Sequence, residues 1–489
     1  MISRLAFWLV LVMKKFFILV FLWLLPACVL AHPPQKTPSK PLVLTHVTII
    51  DPTGGPAKSD MTLIIQDDLI SELGKHNSVR IPKDARVVDA MGKFLIPGLW
   101  DMHIHWYDPE YLPLFIANGV TGARLMWGLS LHHQWRKDIE AGKLIGPRLV
   151  IASPIIDGPK PIWPGSVAVN NEAEARQAVK TAKQEGADFI KVYSLLSREA
   201  FFAIADESKK QGIAFAGHIP QSVTVAEAAE AGQRSVEHLT GMLTACSAKE
   251  DELRQTQEAA NASATGFGAR DPAAARQLTR SIIESYDAKK AAGVFAKLKQ
   301  HHTWHCPTLT VLRSIASLTD PEFRNDPRLR YMPAGIRFQW DPANDFRFKA
   351  RTAEDYELSK LVLQRQFEIV GQMRKAGVEF LAGTDTLNPY CFPGFSLHNE
   401  LELMVKAGFT PLEALQSATL NPARYLGQEK NMGTVEKGKL ADLVLLDANP
   451  LEDIKHTQKI NAVVYGGKLY PRAELDRMLA TVEATAKKR

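Results

Sequence analysis

A chain of 489 residues, 46% of them hydrophobic and 23% charged, carries apolar material for a large core divided between about two domains. Its formal charge of +6 falls to about +3 once a basic leader with three cations and no acid is set aside, a balance that excludes a nucleic-acid-binding surface. Four cysteines in this length, one of them in the leader, exclude a disulfide framework; at most one bridge can form among Cys246, Cys306 and Cys391.

The leader runs from Met1 to Ala31. Arg4, Lys14 and Lys15 precede the apolar stretch Phe16 to Leu25, and small residues follow, the layout of a secretory signal cleaved after Ala31. The basic pair directly follows Met13, so translation starting there would make residues 1–12 an extension. Leu25-Pro26-Ala27-Cys28 also offers a lipoprotein reading, with Cys28 as an acylated N-terminus. Its apolar core is short for a retained span, and no later stretch is long and apolar enough to cross a membrane. The expected location is therefore secreted or periplasmic, with lipid anchoring as the alternative.

Leu42 to Asp51 and Thr62 to Gln66 read as strands joined through the turn Asp51-Pro52-Thr53-Gly54-Gly55-Pro56. After them comes the run Phe94-Leu95-Ile96-Pro97-Gly98-Leu99-Trp100-Asp101-Met102, which ends at His103 and His105. On an extended strand residues i and i+2 face the same side, so these two imidazoles can reach one cation together. The pair alone is equally compatible with two hydrogen-bonded core histidines.

The middle of the chain repeats one cycle. Asn171 and Glu174 form a capping box ahead of a helix with Ala175, Ala178, Val179 and Ala182 on one face; Gly186 stops it and the strand Phe189 to Tyr193 follows. Arg198 to Gln211, Gly212 and Ile213 to His218 repeat the pattern, as do Thr224 to Ala231, Gly232 and Ser235 to His238. A later copy is Gly377 to Asp385. This alternation predicts an α/β fold, a (β/α)8 TIM barrel, with strands near Leu99–His103, Gly119–Leu125, Arg148–Ser153, Phe189–Tyr193, Ile213–His218, Ser235–His238, Trp304–Leu309 and Glu379–Asp385. The long connections, about 246–303 and 311–378, exceed a crossover helix and are expected to be helical caps over the mouth. Leu440 to Asp447 and Ala462 to Gly467 are strands again, so residues 42–97 and 429–474 are expected to join in a small β-sandwich beside a barrel of residues 98–428.

Functional residues of such barrels gather at the C-terminal strand ends. Lys191, His218, His238 and Asp385 fall there, with His103 and His105 at the first strand. Tyr193 shares Lys191's side of an ideal strand and can donate to an oxyanion or a substrate carboxylate, or simply pack. Arg124 is read as a structural ion pair ahead of a carboxylate receptor, and Trp163 as a pocket wall or loop anchor. His305 and Cys306 are wall residues, and His398 is a helix-start residue or a partner of a ligand. His132, His133, His301 and His302 are read as solvated.

Six segments in this order resemble the amidohydrolase superfamily, in its imidazolonepropionase-like and prolidase-like branch: Pro97 to His105, Phe189 to Tyr193, Gly217-His218, Glu237-His238, Gly383-Thr384-Asp385 and Gly438 to Leu443. The resemblance implies that His103, His105 and Asp385 hold one metal and His218 and His238 a second, as two Zn2+. Lys191 would bridge them as a carbamate formed with CO2, since an ammonium cannot ligate a cation. Such cations lower the pKa of water and polarise a carbonyl, and Asp385 can pass the water's proton to a departing amine. The implied reaction is hydrolysis of an amide or peptide C–N bond in a small molecule such as a dipeptide or N-acyl amino acid. Two alternatives stay open: a single-metal cyclic amide hydrolase or deaminase, in which Lys191 is an ion-paired lysine, and a catalytically dead binding barrel. Oligomeric state is not legible.

Overall fold

The computed structural model describes residues 40–263 and 271–489. The leader, with its cleavage site and Cys28, lies outside these residues. Among the described residues no helix is long and apolar enough to cross a membrane.

Seven parallel strands run in sequence order around a barrel: Leu99–Ile104, Val120–Leu125, Arg148–Asp157, Phe189–Val192, Ala214–Gly217, Ser235–Glu237 and Trp304–Cys306. The eighth position is filled by the segment 379–386, which bridges the seventh strand at His305 and Phe380 and the first at Ile104 and Thr386. Its backbone gives His305 N to Glu379 O at 2.9 Å on one side and Asp385 N to His103 O at 2.8 Å on the other, so the ring closes. Gly383 permits this approach. A Cβ there would meet the Cys306 sulfur at 2.4 Å and His103 Cβ at 2.8 Å, closer than packed atoms tolerate. The barrel reading of the sequence is borne out, with the last strand the least regular.

The crossover helices form where the glycine stops mark them. Glu172–Gln184 is capped by Asn171, whose side chain accepts from Glu174 N, and it buries Ala175, Val179 and Ala182. Arg198–Gln211 ends on Gly212 in the left-handed region. The long connections are helical in their described parts. Glu250–Ser263, Pro272–Glu284 and Ala288–Gln300 follow the sixth strand, and Leu309–Ala316, Pro321–Arg324, Ala334–Trp340 and Ala353–Ala376 follow the seventh.

Both chain ends share a separate mixed sheet. Leu42–Ile49 pairs with Lys58–Gln66 on one edge, and on the other with Arg86–Asp89 and then Phe94–Pro97. Phe94–Pro97 pairs in turn with Leu443–Leu446, which continues through Ile460–Tyr465 to Lys468–Pro471. Leu44, Leu63, Ile65, Leu95, Leu443 and Val464 form its core, while Ile96, Val444 and Val463 face the barrel's outer shell. A final helix, Arg472–Lys488, was not read from the sequence; it buries Leu475, Met478, Val482 and Ala486 at helical spacing.

Cys246, Cys306 and Cys391 are buried and unbridged. One expectation needs correction. His132 is buried rather than solvated, with Nδ1 accepting from Leu129 N at 3.1 Å and Nε2 2.7 Å from Trp106 O. Its helix Ser130–Glu140 turns this residue onto the barrel wall, so a polar local sequence misled.

Candidate metal centre

The first strand sets the site. His103 and His105 point the same way, with their Nε2 atoms 3.3 Å apart. Asp385 Oδ1 lies 3.4 Å from His103 Nε2 and 3.2 Å from His105 Nε2, so three ligand-type atoms from opposite ends of the barrel sequence converge on one point. His238 and Asp385 both adopt left-handed backbone, φ 57° and 56°, uncommon for residues with a Cβ. At His238 the kink breaks strand alternation. Glu237 and His238 therefore both reach His103, Glu237 through a contact of 2.8 Å to Nδ1 and His238 with ring centroids 4.4 Å apart.

His218 follows Gly217 directly at the end of the fifth strand. Its ring lies 5.1 Å from that of His238, and Tyr193 stacks on its other face at 4.0 Å with 27° between planes. Ser194 Oγ at 2.8 Å engages His218 Nδ1, and Thr308 Oγ1 at 2.6 Å engages His238 Nδ1. Both hydroxyls leave the Nε2 atoms for a ligand, the usual way an outer partner orients a metal-binding imidazole. Lys191 is buried, and its Nζ has no hydrogen-bond partner among the described residues; it sits 5.8 Å from the centre of the Tyr193 ring.

Beneath these side chains lies a second polar layer. Arg124 places Nη2 2.9 and 3.0 Å from the two oxygens of Glu237, Nη1 3.0 Å from Ser235 Oγ and 2.9 Å from Tyr425 Oη, and Nε 2.6 Å from Met102 O. Arg124 is thus the structural ion pair, and its carboxylate partner is the one that holds His103. Asp101 accepts from His103 N, Thr384 N and Thr384 Oγ1, tying the first strand to the eighth.

Burial dominates the protonation of these groups. It drives His103 and His218 well below the ordinary histidine range, aided by His238 and Lys191 for His103 and by Lys191 for His218; it takes His238 to about 4, so all three imidazoles are neutral at pH 7. Burial brings Lys191 down to about 8. It pushes against Asp385's charge, but His238, His105 and Lys191 outweigh it and hold the carboxyl below its usual value. Burial raises Asp101 to about 7 against its three donors.

The donor set fits a cation. His103, His105 and Asp385 lie within reach of one ion. Asp385 Oδ1 and Lys191 Nζ are buried with unmet hydrogen-bonding capacity, an arrangement costly unless something binds there. Neutral imidazole nitrogens with a carboxylate oxygen are zinc-type ligands. Above them opens a cavity of about 480 Å³, and His105, Lys191, Tyr193, His218, His238 and Asp385 form its floor.

Other candidates fall elsewhere. His305 is buried on the seventh strand outside the cavity lining, and His398 is buried between Thr457 Oγ1 at 2.9 Å and Asn118 O at 3.0 Å, far from ligand duty. Cys306 sits below the ligands against Gly383. The sequence reading passed over Glu237 as His103's partner, although its place directly before a strand-end histidine was a usable signal. It also passed over the cavity residues of the second cap, Trp340, Asp345, Phe346 and Arg347, which no local pattern marks.

A closed parallel barrel with histidine, lysine and aspartate side chains gathered at its strand ends is the arrangement that the resemblance to the amidohydrolases implies. Residues 330–470 match the model of the amidohydrolase family. Ochratoxinase of Aspergillus niger is 23% identical over 504 residues, covering 89% of this chain and 88% of that protein. Imidazolonepropionase of Shouchella clausii is 37% identical over 92 residues, 19% of this chain and 20% of that one. Among solved structures, a bottromycin amidohydrolase covers 93% of this chain and 91% of its own at TM-score 0.72 and 22% identity. A Xaa-Pro dipeptidase with bound methionine covers 88% and 100% at TM-score 0.63 and 20% identity. The resemblance to the amidohydrolases read from the sequence is borne out, and with it the hydrolase class.

Proposed function

We propose that the chain is an exported, zinc-dependent amidase that hydrolyses the C–N bond of N-acyl amino acids or dipeptides. The observation that carries this reading is the convergence of His103, His105 and Asp385 on one point beside the unpartnered Lys191 Nζ, at the floor of a large cavity. In this reading His103, His105 and Asp385 would hold one Zn2+ and His218 and His238 a second, with Lys191, once carboxylated by CO2, as a further ligand. When bound, the ions supply an activated water near neutral pH and polarise the scissile carbonyl.

The chain's own groups do the rest. The Asp385 carboxylate, at the floor of the cavity, takes the attacking water's proton and delivers it to the departing amine. Tyr193 donates its hydroxyl proton to the oxygen on which negative charge develops. Glu237 and Arg124 hold His103 in orientation from below. Trp127, Trp163, Trp340 and Phe346, with Ile155 and Leu312, wall the cavity, which suits an apolar, preferably aromatic acyl group better than a pair of small residues. The name of one structurally similar protein, a Xaa-Pro dipeptidase, accords with an amide substrate. The leader of residues 1–31 supports export, to the periplasm or beyond.

A second reading has one metal at His103, His105 and Asp385, cyclic amide hydrolysis or deamination, and an idle Lys191; the local match to an imidazolonepropionase favours it. Metal analysis of the purified protein beside Lys191→Ala separates the two. About two zinc ions per chain, reduced by the substitution, is the expected result, with turnover of at least one member of a panel of N-acyl amino acids and dipeptides. One ion unchanged by the substitution establishes the second reading, and no ion with no turnover overturns both.

A further inference from the structure

The loop after the third strand brings Trp163 to the cavity beside Tyr193. The indole Nε1 donates to Tyr193 Oη at 2.8 Å. A phenol oxygen has one proton to give and lone pairs to receive, whereas an indole N–H can only donate. The phenolic O–H lies in the ring plane in one of two directions. With the indole hydrogen arriving from one of them, the tyrosine's proton turns to the other, and among the described residues no acceptor is recorded for it. Stacking on His218 fixes the ring itself, so the orientation of that proton is the freedom left to control.

Trp163 is in turn held from two sides. Buried Asp157, at the end of the third strand, accepts from Ile162 N at 3.1 Å and from Leu195 N at 2.7 Å, fastening the Trp163 loop to the one after Tyr193. On the outer side, Phe346 meets the indole edge to face at 5.6 Å and the Arg347 guanidinium lies 5.3 Å from the Trp163 ring. Arg347 is committed to Asp345 through both carboxylate oxygens and to Asn388 Oδ1 at 2.7 Å, three residues past Asp385. A guanidinium so paired is a clamp on the indole rather than a free receptor for substrate.

We propose that Trp163 is a positioning residue: its N–H sets the Tyr193 hydroxyl as a donor directed into the cavity, and the Asp345–Arg347 clamp keeps it there. This rests on the amidase reading for the use made of that donor. The test compares wild type, Trp163→Phe, Tyr193→Phe and the double variant as full chains. Ultraviolet resonance Raman, with the Trp163 signal isolated by subtracting Trp163→Phe, should show a hydrogen-bonded indole N–H that becomes free in Tyr193→Phe. An unchanged N–H band overturns the proposal whether or not any amide is cleaved. On the N-acyl amino acid turned over best, Trp163→Phe should lower kcat about 10-fold with KM nearly unchanged. Tyr193→Phe should lower it about 100-fold, and the double variant no further. Additive losses, or a raised KM with kcat intact, make Trp163 a wall and overturn the proposal. Wild type inert on the whole panel defeats the amidase reading, and the Raman band then decides the Trp163–Tyr193 pairing alone.

Discussion

Two polar clusters share the barrel interior, one above the other, and they are built on opposite rules. In the lower one Arg124, Glu237, Ser235 and Tyr425 satisfy one another, with Ser235 Oγ 2.5 Å from Glu237 Oε1 and the guanidinium engaged by four partners. In the upper one His103 Nε2, His105 Nε2 and Asp385 Oδ1 converge on a common spot, and Lys191 Nζ has no hydrogen-bond partner among the described residues. The lower cluster uses its hydrogen-bonding capacity within the fold; the upper one leaves Lys191 Nζ and Asp385 Oδ1 without a hydrogen bond among the described residues. Glu237 belongs to both, because it grips His103 Nδ1 while answering Arg124.

Breaking the upper cluster should therefore cost activity and not stability. Asp385→Asn is expected to reduce amide hydrolysis about 1000-fold or more, since the amide can neither take a proton nor ligate as a carboxylate does. Its urea midpoint, with chelator present, should match that of the wild type. A variant that unfolds easily, or one that stays active, would show that the two layers are not distinct. Breaking the lower cluster should do the reverse. Arg124→Met leaves Glu237 buried without its cation, and about 3–5 kcal/mol of stability should be lost in urea denaturation. A loss under about 1 kcal/mol would mean that His103 and Ser235 suffice to hold the carboxylate.

This division explains what could be read from the chain itself. The barrel was legible because each cycle announces itself locally, by cap, apolar face, glycine stop and strand. The upper cluster was legible because its members stand at strand ends, where the fold always delivers them to one face. Two kinds of feature were hidden. The left-handed kinks at His238 and Asp385 turn side chains against the alternation of period two, a departure that no local pattern announces. Part of the aromatic wall comes from the long insertion after the seventh strand, where Trp340 rests on Tyr390 and Phe392 and Phe346 meets Trp163, contacts between segments far apart in sequence that no periodicity names. His132 failed for the same reason, its burial being decided by the barrel wall rather than by its polar neighbours.

Glu400 sharpens the comparison because it lies between the two rules, a buried carboxylate with donors and no cation. Its oxygens accept from Leu309 N at 2.9 Å, Thr310 N at 2.7 Å and Thr310 Oγ1 at 2.9 Å, at the start of the helix Leu309–Ala316, where the helix dipole favours negative charge. Burial nevertheless wins and raises the carboxyl from 4.5 to about 7. A raised acid contributes stability that is complete below its unfolded pKa and is lost as pH climbs through the folded one. The wild type should therefore lose up to about 3 kcal/mol relative to Glu400→Gln between pH 4.5 and 8, whatever the constant offset between them. Urea midpoints of both proteins at pH 5 and pH 8 measure this difference. If it is flat, the helix terminus and the hydroxyl keep the carboxylate ionised, and donors alone can do for a buried charge what Arg124 does for Glu237.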